Sequence, residues 1–169
     1  MKILVIRRDN IGDLVCTTPL FTTLRNSFPH AHIAALVNSY NSPVLNANPN
    51  LDVIYVYKKA KHRESGESKI SVWLSTLRLI ISLRQQKWDY AIIATTAYSK
   101  SALKFARAVK AHRIIAFAPK DTNISDPVDP QLTDGLHETE AVFQLLTPLE
   151  IYEKPRAVEI FNSSPPAFS

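Results

Sequence analysis

A short polar stretch directly follows the apolar opening of the chain and carries groups that could do acid–base chemistry. Residues 2–13 read KILVIRRDNIGD, so the pair Gly12-Asp13 comes where a helix would begin. There Asp13 could accept a proton from an incoming hydroxyl, as a general base does. Alternatively, Asp13, Asp9 or Asn10 caps the helix, a role worth about 1 kcal/mol. The residues alone favour the cap, and the two roles are compatible.

The glycine pattern excludes the common phosphate-binding loops. The chain holds three glycines, whereas the dinucleotide fingerprint needs G-x-G-x-x-G and the P-loop needs G-x-x-x-x-G-K-[ST]. A carboxylate at a helix start also repels the anion that the helix dipole attracts. We expect Gly12 to let the backbone turn tightly and to let a ligand approach closely. Arg7 and Arg8 flank this turn, where one of them could bind an anionic group or simply pair with Asp9.

The elements that must position these groups are those of an α/β fold with a Rossmann-like, mainly parallel sheet and helices on both faces. Short apolar runs rich in β-branched residues alternate with helical stretches, which is typical of βαβ units. The ligands of such sheets bind beyond the carboxyl ends of the strands, which is where the turn after Arg7 lies. The predicted strands are Lys2–Arg7, Ala31–Val37, Val53–Tyr57, Tyr90–Thr95 and Arg113–Phe117.

Five helices are predicted between and after these strands, and residues 119–135 are predicted to be an irregular excursion. Pro19 predicts a kink in the first helix or a later start near Thr17, and Thr17 and Thr18 could bond backbone carbonyls there. The third helix has a wide apolar face suited to packing on a sheet. Trp73, in this helix, and Trp88, which follows it, are both assigned to the core. The predicted helices are Asp13–Phe28, Ser42–Ala47, Ile70–Leu83, Ser99–Lys110 and His137–Leu146.

Composition excludes several classes of protein. The 46% hydrophobic content suffices for a core, and the net charge of +5 suits an anionic partner without identifying it. Cys16 has no cysteine to pair with and is predicted to be a small buried hydrophobe. The one cysteine and the five scattered histidines do not have the spacing of a zinc site, so no metal site is expected. No apolar run approaches the roughly 20 residues of a membrane span. With no signal-peptide layout either, we expect a cytoplasmic protein.

The densest positive cluster lies in the polar segment between the third strand and the third helix. If it lies at the rim of the cleft, it could bind phosphates or acidic sugars through charge-assisted hydrogen bonds. Alternatively it is a solvated loop, attracted to anionic lipid by about 1 kcal/mol per charge. The cluster consists of Lys58, Lys59, Lys61, His62 and Arg63.

The stretch KILVIRRDNIGDLVCTTPLFTTLR resembles the amino-terminal signature of glycosyltransferase family 9, the heptosyltransferases of lipopolysaccharide core synthesis. Weaker similarity continues in the expected order through WDYAIIATTAYSKSA, RIIAFA and GLHETEAVFQLL. The resemblance implies a GT-B architecture, in which one Rossmann-like lobe binds the acceptor and a second binds the nucleotide-sugar. It also implies inverting transfer of a heptose from an ADP-activated donor to a hydroxyl of a lipid-linked core sugar, without a required metal or other cofactor.

By this resemblance Asp13 is the catalytic base. Where family members carry D-x-Q-x-x-x-K-S after the fourth strand, this chain has Ala94 and Thr96 in place of the acid and the amide, with Lys100 and Ser101 kept. We therefore expect a hydroxyl-lined pocket there. A histidine matching His137 is common at the start of the family's last helix, although such a residue also suits a surface or capping role. The predicted acceptor-binding residues are Arg7, Gly12, Lys58, Lys59, Lys61, Arg63, Thr96, Lys100 and His137.

The predicted organisation is an acceptor-binding lobe over residues 1–154, with a Pro- and Ser-rich, linker-like tail over 155–169. By this prediction the residues contain no second lobe, so the ADP-sugar donor would bind only through a lobe supplied elsewhere, and the chain alone is not expected to turn over. The expected partners are a lipid-linked saccharide acceptor and, peripherally, the inner membrane surface. The alternative hypothesis is a non-catalytic, truncated module for binding or assembly. Nucleic acid is not an expected partner, because no aromatic-plus-basic platform or helix-turn-helix pattern is present.

Overall fold

The computed structural model describes residues 1–57, 69–119 and 122–161. Its strands are β1 Lys2–Ile6, β2 His32–Asn38, β3 Val53–Tyr57, β4 Tyr90–Ile93, β5 Arg113–Phe117 and β6 Asp126–Val128. They form one six-stranded, all-parallel sheet in the order β3-β2-β1-β4-β5-β6. The predicted α/β class and parallel sheet are therefore confirmed.

The sixth strand was not predicted from the sequence. The prediction of an irregular excursion over residues 119–135 is wrong where β6 lies. β6 is three residues long and contains Pro127, which a strand tolerates at the edge of a sheet. It pairs with β5, and the Asp126 carboxylate accepts a hydrogen bond from Arg113 Nε at 2.9 Å. This partner comes from the neighbouring strand, so local pattern did not reveal it.

In the described part of the chain, four α-helices connect or cover the strands. The predicted short helix Ser42–Ala47 is a 3₁₀ turn at Ser42–Leu45. The predicted helix His137–Leu146 is an α-helix only to Phe143 and continues as a 3₁₀ turn over Gln144–Leu149. A further 3₁₀ turn spans Pro130–Thr133. The α-helices are α1 Ile11–Ser27, α2 Lys69–Gln85, α3 Lys100–Val109 and α4 Glu138–Phe143.

Helix α1 begins earlier than predicted and continues through Pro19. Proline has no N–H to donate to the carbonyl of Val15, four residues earlier. The Thr18 hydroxyl donates to that same carbonyl at 2.8 Å, and the Thr17 hydroxyl donates to the Asp13 carbonyl at 2.8 Å. The predicted structural role of the two threonines is confirmed, whereas a late helix start near Thr17 is wrong.

The sheet is buried on both faces, because helices cover each of them. Successive side chains of the central strands point to opposite faces and so pack in two separate layers. Ile3 and Val5 pack in the layer of α1 and α4, whereas Leu4 and Ile6 pack in the layer of α2 and α3. Trp88 is in the core, as predicted. The core assignment of Trp73 is wrong, because its side chain is 63% exposed. Cys16 is half-buried instead of fully buried.

Asp52 joins three elements next to the sheet. Its Oδ2 accepts hydrogen bonds from the Ile33 backbone N–H and from Arg25 Nη2, both at 2.7 Å. Burial raises the pKa of this carboxyl, but the hydrogen bonds from Ile33 and Arg25 outweigh burial and hold it below its ordinary value of 3.8. The ionised form therefore stabilises the fold, and this contribution is present above the unfolded-state pKa and is lost as pH falls through the folded-state pKa.

We expect Asp52→Asn to flatten the acid side of the stability profile. Urea unfolding at about pH 7 and about pH 3 should show a smaller loss of unfolding free energy on acidification in the variant than in the parent chain. Asp134→Asn is the matched control, since Asp134 is exposed and no described cation pairs with it. An equal loss in Asp52→Asn and Asp134→Asn would contradict the role assigned to Asp52.

Candidate functional site

The polar groups predicted to do chemistry lie beyond the carboxyl ends of β1 and β4, at one edge of the parallel sheet. An open cleft of about 330 Å³ is present there. Hydroxyl-bearing residues that follow β4 line it, in agreement with the hydroxyl-lined pocket expected after the fourth strand. Its lining includes Arg8, Asp9, Tyr57, Thr95, Ser99 and Ser101.

Arg7 is adjacent to Arg8 and Asp9 of the cleft lining and is surrounded by carboxylates. Its side chain is 2% exposed, with Nη2 lying 2.6 Å from Glu138 Oε1 and 3.6 Å from Asp13 Oδ2. Nη1 donates to the Ala94 carbonyl. Nε lies 2.7 Å from Asp9 Oδ1, but the two atoms are not aligned for a hydrogen bond. Enclosed in this way, Arg7 offers no surface to an acceptor in this conformation.

Among the described residues, Arg7 is the one cation that faces all three of these carboxylates, of which Asp9 lines the cleft. Burial raises the pKa of the Asp9 carboxyl above its ordinary value of 3.8, the Arg7 guanidinium opposes that increase, and the charge of Asp13 adds to it. The excess of negative charge disfavours a phosphate here and suits a ligand that presents hydroxyl groups. The surroundings of Arg7 thus agree with the exclusion of a phosphate loop from the glycine pattern.

Asp13 lies in the first turn of α1, and its side chain is 34% exposed. Its Oδ2 accepts from the Asn10 backbone N–H at 3.4 Å and from Asn10 Nδ2 at 3.3 Å. The described residues place no hydrogen bond on Oδ1. Asp13 thus has one oxygen in a helix-capping arrangement and one that no described residue bonds, so the geometry accommodates both interpretations.

Of the two predictions made for Gly12, the tight turn is wrong, because the residue lies within the helical backbone of α1. A Cβ atom built at Gly12 meets no atom within 4 Å. This open space is compatible with the close approach of a ligand, which stays a prediction.

Two buried asparagines hold the loop between β1 and α1, and the sequence analysis missed both. Asn38 Nδ2 donates to the carbonyls of Arg8 and Asp9 at 3.2 and 3.0 Å, and Asn41 Nδ2 donates to the Asp9 carbonyl at 3.3 Å. Their side chains also bond each other's backbone N–H groups, Asn38 to Asn41 at 2.9 Å and the reverse at 3.0 Å. The signal that could have found them is a pair of asparagines directly after a buried strand that neighbours β1.

Arg8 is the arginine that faces the cleft. Its guanidinium lies over the rings of Tyr57 and Phe105, 4.5 and 5.1 Å from their centroids, and Nη1 lies 3.5 Å from the Ser101 carbonyl. In the described part of the chain no carboxylate forms an ion pair with it. Stacking on two rings fixes the position of a cation without neutralising its charge.

The remaining predicted site residues lie in three different places. The Thr96 hydroxyl donates to Glu138 Oε2 at 3.1 Å and so joins the surroundings of Arg7. Lys100 is exposed at the first position of α3. His137 caps α4, since its Nδ1 accepts from the Thr139 N–H at 3.3 Å, which matches the capping interpretation. The predicted residues Lys58, Lys59, Lys61 and Arg63 lie outside the described residues.

The described ranges 1–57, 69–119 and 122–161 contain no group of three or more His, Cys, Asp or Glu side chains placed to hold a metal ion. None of their helices is both long and apolar enough to cross a membrane.

Comparison of the sequence with known proteins finds relatives over about half of the chain. No protein-family model matches. Over 84 residues the chain is 32% identical to lipopolysaccharide heptosyltransferase 3 of Escherichia coli, a match that covers 50% of this chain and 23% of that protein. Over 88 residues it is 30% identical to a putative glycosyltransferase of Haemophilus influenzae, covering 52% of this chain and 22% of that one.

Solved structures with the same fold cover nearly the whole chain. A family 9 glycosyltransferase from Veillonella parvula matches 96% of this chain and 45% of its own length, with a TM-score of 0.74 and 17% identity. The E. coli heptosyltransferase WaaC, solved with ADP, matches 93% of this chain and 50% of its own, with a TM-score of 0.66 and 15% identity. The chain thus spans about half the length of these structures. The resemblance to the family 9 heptosyltransferases is confirmed.

Proposed function

We propose that residues 1–154 form the acceptor-binding lobe of a heptosyltransferase-like glycosyltransferase of lipopolysaccharide core synthesis, followed by a linker from residue 155. The observation that carries the proposal is Asp13, a partly exposed carboxylate at the carboxyl end of β1 with one oxygen outside the helix cap. It lies in a chain that is similar to lipopolysaccharide heptosyltransferase 3. A second lobe would carry the ADP-sugar and face this cleft.

In the proposed reaction Asp13 acts as the general base. The acceptor hydroxyl would lie in the space beside Gly12, within hydrogen-bond reach of Asp13 Oδ1. As the acceptor oxygen forms its bond to the anomeric carbon, its proton passes to Asp13, and the bond from that carbon to the diphosphate breaks. ADP leaves with the bonding electron pair from the opposite face of the sugar, so the configuration inverts.

The charge distribution of the cleft orients the acceptor. The Asp9 and Asp13 end favours hydroxyl groups, whereas the stacked Arg8 guanidinium suits a phosphate or an acidic sugar. Thr95, Ser99 and Ser101 line the same cleft as Arg8 and Asp9, and their hydroxyls would bond sugar hydroxyls. We also propose that Lys100 and the basic cluster of residues 58–63 bind anionic groups of the acceptor. The reaction would take place at the cytoplasmic face of the inner membrane, where the acceptor is held by its lipid.

Arg8→Gln tests this orientation on the chain itself. We expect it to weaken binding of a deacylated, phosphorylated core saccharide by about tenfold or more, because a charge-assisted hydrogen bond is lost. Isothermal titration calorimetry measures the affinity. Lys104→Gln removes the same charge from an exposed position of α3 and should leave the affinity nearly unchanged.

Two outcomes would contradict the assignment of Arg8. One is an Arg8→Gln affinity equal to that of the parent chain. The other is an equal weakening by Lys104→Gln, which would show that net charge alone attracts the saccharide. Because Arg8 stacks on Tyr57 and Phe105, the thermal midpoint of each variant is compared first, so that a loss of folded protein is not mistaken for a loss of binding.

A further inference from the structure

Helix α2 carries an apolar stripe that faces solvent. Trp73, Leu77 and Ile81 follow each other at intervals of four residues, and Leu74 lies beside them. Their exposed fractions are 63%, 39%, 46% and 41%, in that order. A different side of the helix, with Leu83, packs into the core. Single exposed apolar residues are ordinary on a soluble surface, but a contiguous stripe of this kind marks a contact surface.

The charges of the same segment have one sign. From Lys69 to Trp88 the sequence contains four lysines and arginines and no aspartate or glutamate. Arg78 is exposed one turn after Leu74, next to the apolar stripe. A helix that combines an exposed Trp/Leu/Ile face with basic side chains has the composition of helices that lie in the interface of a membrane.

We propose that α2 docks the protein on an anionic lipid surface, with Trp73, Leu77 and Ile81 inserted at the level of the lipid headgroups. Charge complementarity favours this partner over a second copy of the chain, because two segments that carry only positive charges would repel each other across a shared contact. The geometry is compatible with open access to the cleft, since α2 lies against one face of the sheet and the cleft lies beyond the strand ends. The inference rests on α2 alone and does not depend on glycosyl transfer.

The two tryptophans of the chain provide a built-in probe. Trp73 is 63% exposed, whereas Trp88 is 2% exposed in the core. On vesicles of phosphatidylcholine and phosphatidylglycerol we expect a blue shift of the fluorescence and quenching by brominated lipid. Trp73→Phe should abolish the lipid-dependent quenching and retain binding in vesicle sedimentation, because phenylalanine keeps the apolar contact.

The affinity for the same vesicles should depend on both chemical features of the helix. We expect Leu77→Gln with Ile81→Gln to weaken binding roughly tenfold or more, since two buried aliphatic side chains are lost. Arg78→Gln should weaken it roughly fivefold, the effect of one charge near an anionic surface. Leu132→Gln with Leu136→Gln is the matched control, because both leucines are exposed outside α2.

Three outcomes would overturn the proposal. The first is equal binding to pure phosphatidylcholine, and the second is unchanged binding by the Leu77→Gln, Ile81→Gln variant. The third is a dimer in sedimentation equilibrium that this variant abolishes, without vesicle binding by the parent chain. Since the vesicles contain no saccharide, each outcome leaves the proposed transferase function untouched.

Discussion

Replacing Arg7 with methionine should lower the free energy of unfolding by about 3 kcal/mol. Removing one partner from a buried ion cluster leaves the remaining charges uncompensated, which typically costs about 3–5 kcal/mol. Here Glu138 loses a partner at 2.6 Å, and Asp9 and Asp13 lose the one described cation that faces both. The carboxylates are 25–34% exposed, so water compensates in part, and this places the expected effect at the low end of the range.

Urea denaturation of Arg7→Met beside Arg8→Met measures this effect. The two variants make the same chemical change at adjacent positions, but Arg8 stacks at the cleft and has no described carboxylate partner. We therefore expect Arg8→Met to cost about 1 kcal/mol or less. Equal losses in the two variants would contradict the importance of the ion cluster.

The double variant Arg7→Met, Glu138→Gln tests whether the loss arises from uncompensated charge. Neutralising Glu138 removes the carboxylate that Arg7 contacts at 2.6 Å, so the double variant should be more stable than the sum of the single losses implies. A coupling of about 1–3 kcal/mol is expected from a double-mutant cycle. Additive losses would mean that the methionine is harmful for reasons of packing alone.

The sheet could be predicted from the sequence because its central strands are buried on both faces and therefore read as continuous apolar runs. The run KILVI is one of these, and β1 matches it from Lys2 to Ile6. β6 could not be recognised in this way, since a three-residue edge strand with Pro127 has no such run. Trp73 was misassigned because a helical apolar pattern does not say which of its sides a sheet covers, and α2 has more apolar surface than the core uses.

The site divides along similar lines. The location of Asp13 and of the two arginines at the carboxyl end of β1 could be predicted, because the place of a strand-to-helix connection in a parallel sheet is known from its position in the chain. Which arginine faces the cleft could not be predicted, and Arg7, the predicted acceptor contact, is the buried one. Glu138 could not be predicted either, because its contact with Arg7 joins residues separated by 131 positions. Asn38 is likewise 29 residues from the Asp9 carbonyl it holds. The side chains that position the turn are thus more remote in sequence than those predicted to act in it.

Asp13→Asn should lower kcat/KM for heptose transfer by about 10²–10⁴-fold, the range that general-base catalysis contributes. The loss should fall on kcat with little change in KM. The saccharide still binds, but no carboxylate is present to take up the proton of its hydroxyl. The measurement is transfer from ADP-heptose to a deacylated core saccharide by a protein that joins this lobe to a donor-binding lobe. If the parent protein binds the saccharide and shows no turnover in that form, the non-catalytic binding module becomes the better hypothesis.

Asp13→Ala provides the comparison that separates the base from the helix cap. An asparagine side chain keeps an oxygen that can accept the Asn10 N–H now bound at 3.4 Å, so Asp13→Asn should unfold at nearly the parent urea concentration. Alanine removes that oxygen and should cost about 1 kcal/mol. If Asp13 acts only as a cap, transfer survives in the asparagine variant and any defect of the alanine variant follows its stability. If Asp13 is the base, the two variants are equally inactive although only one is destabilised.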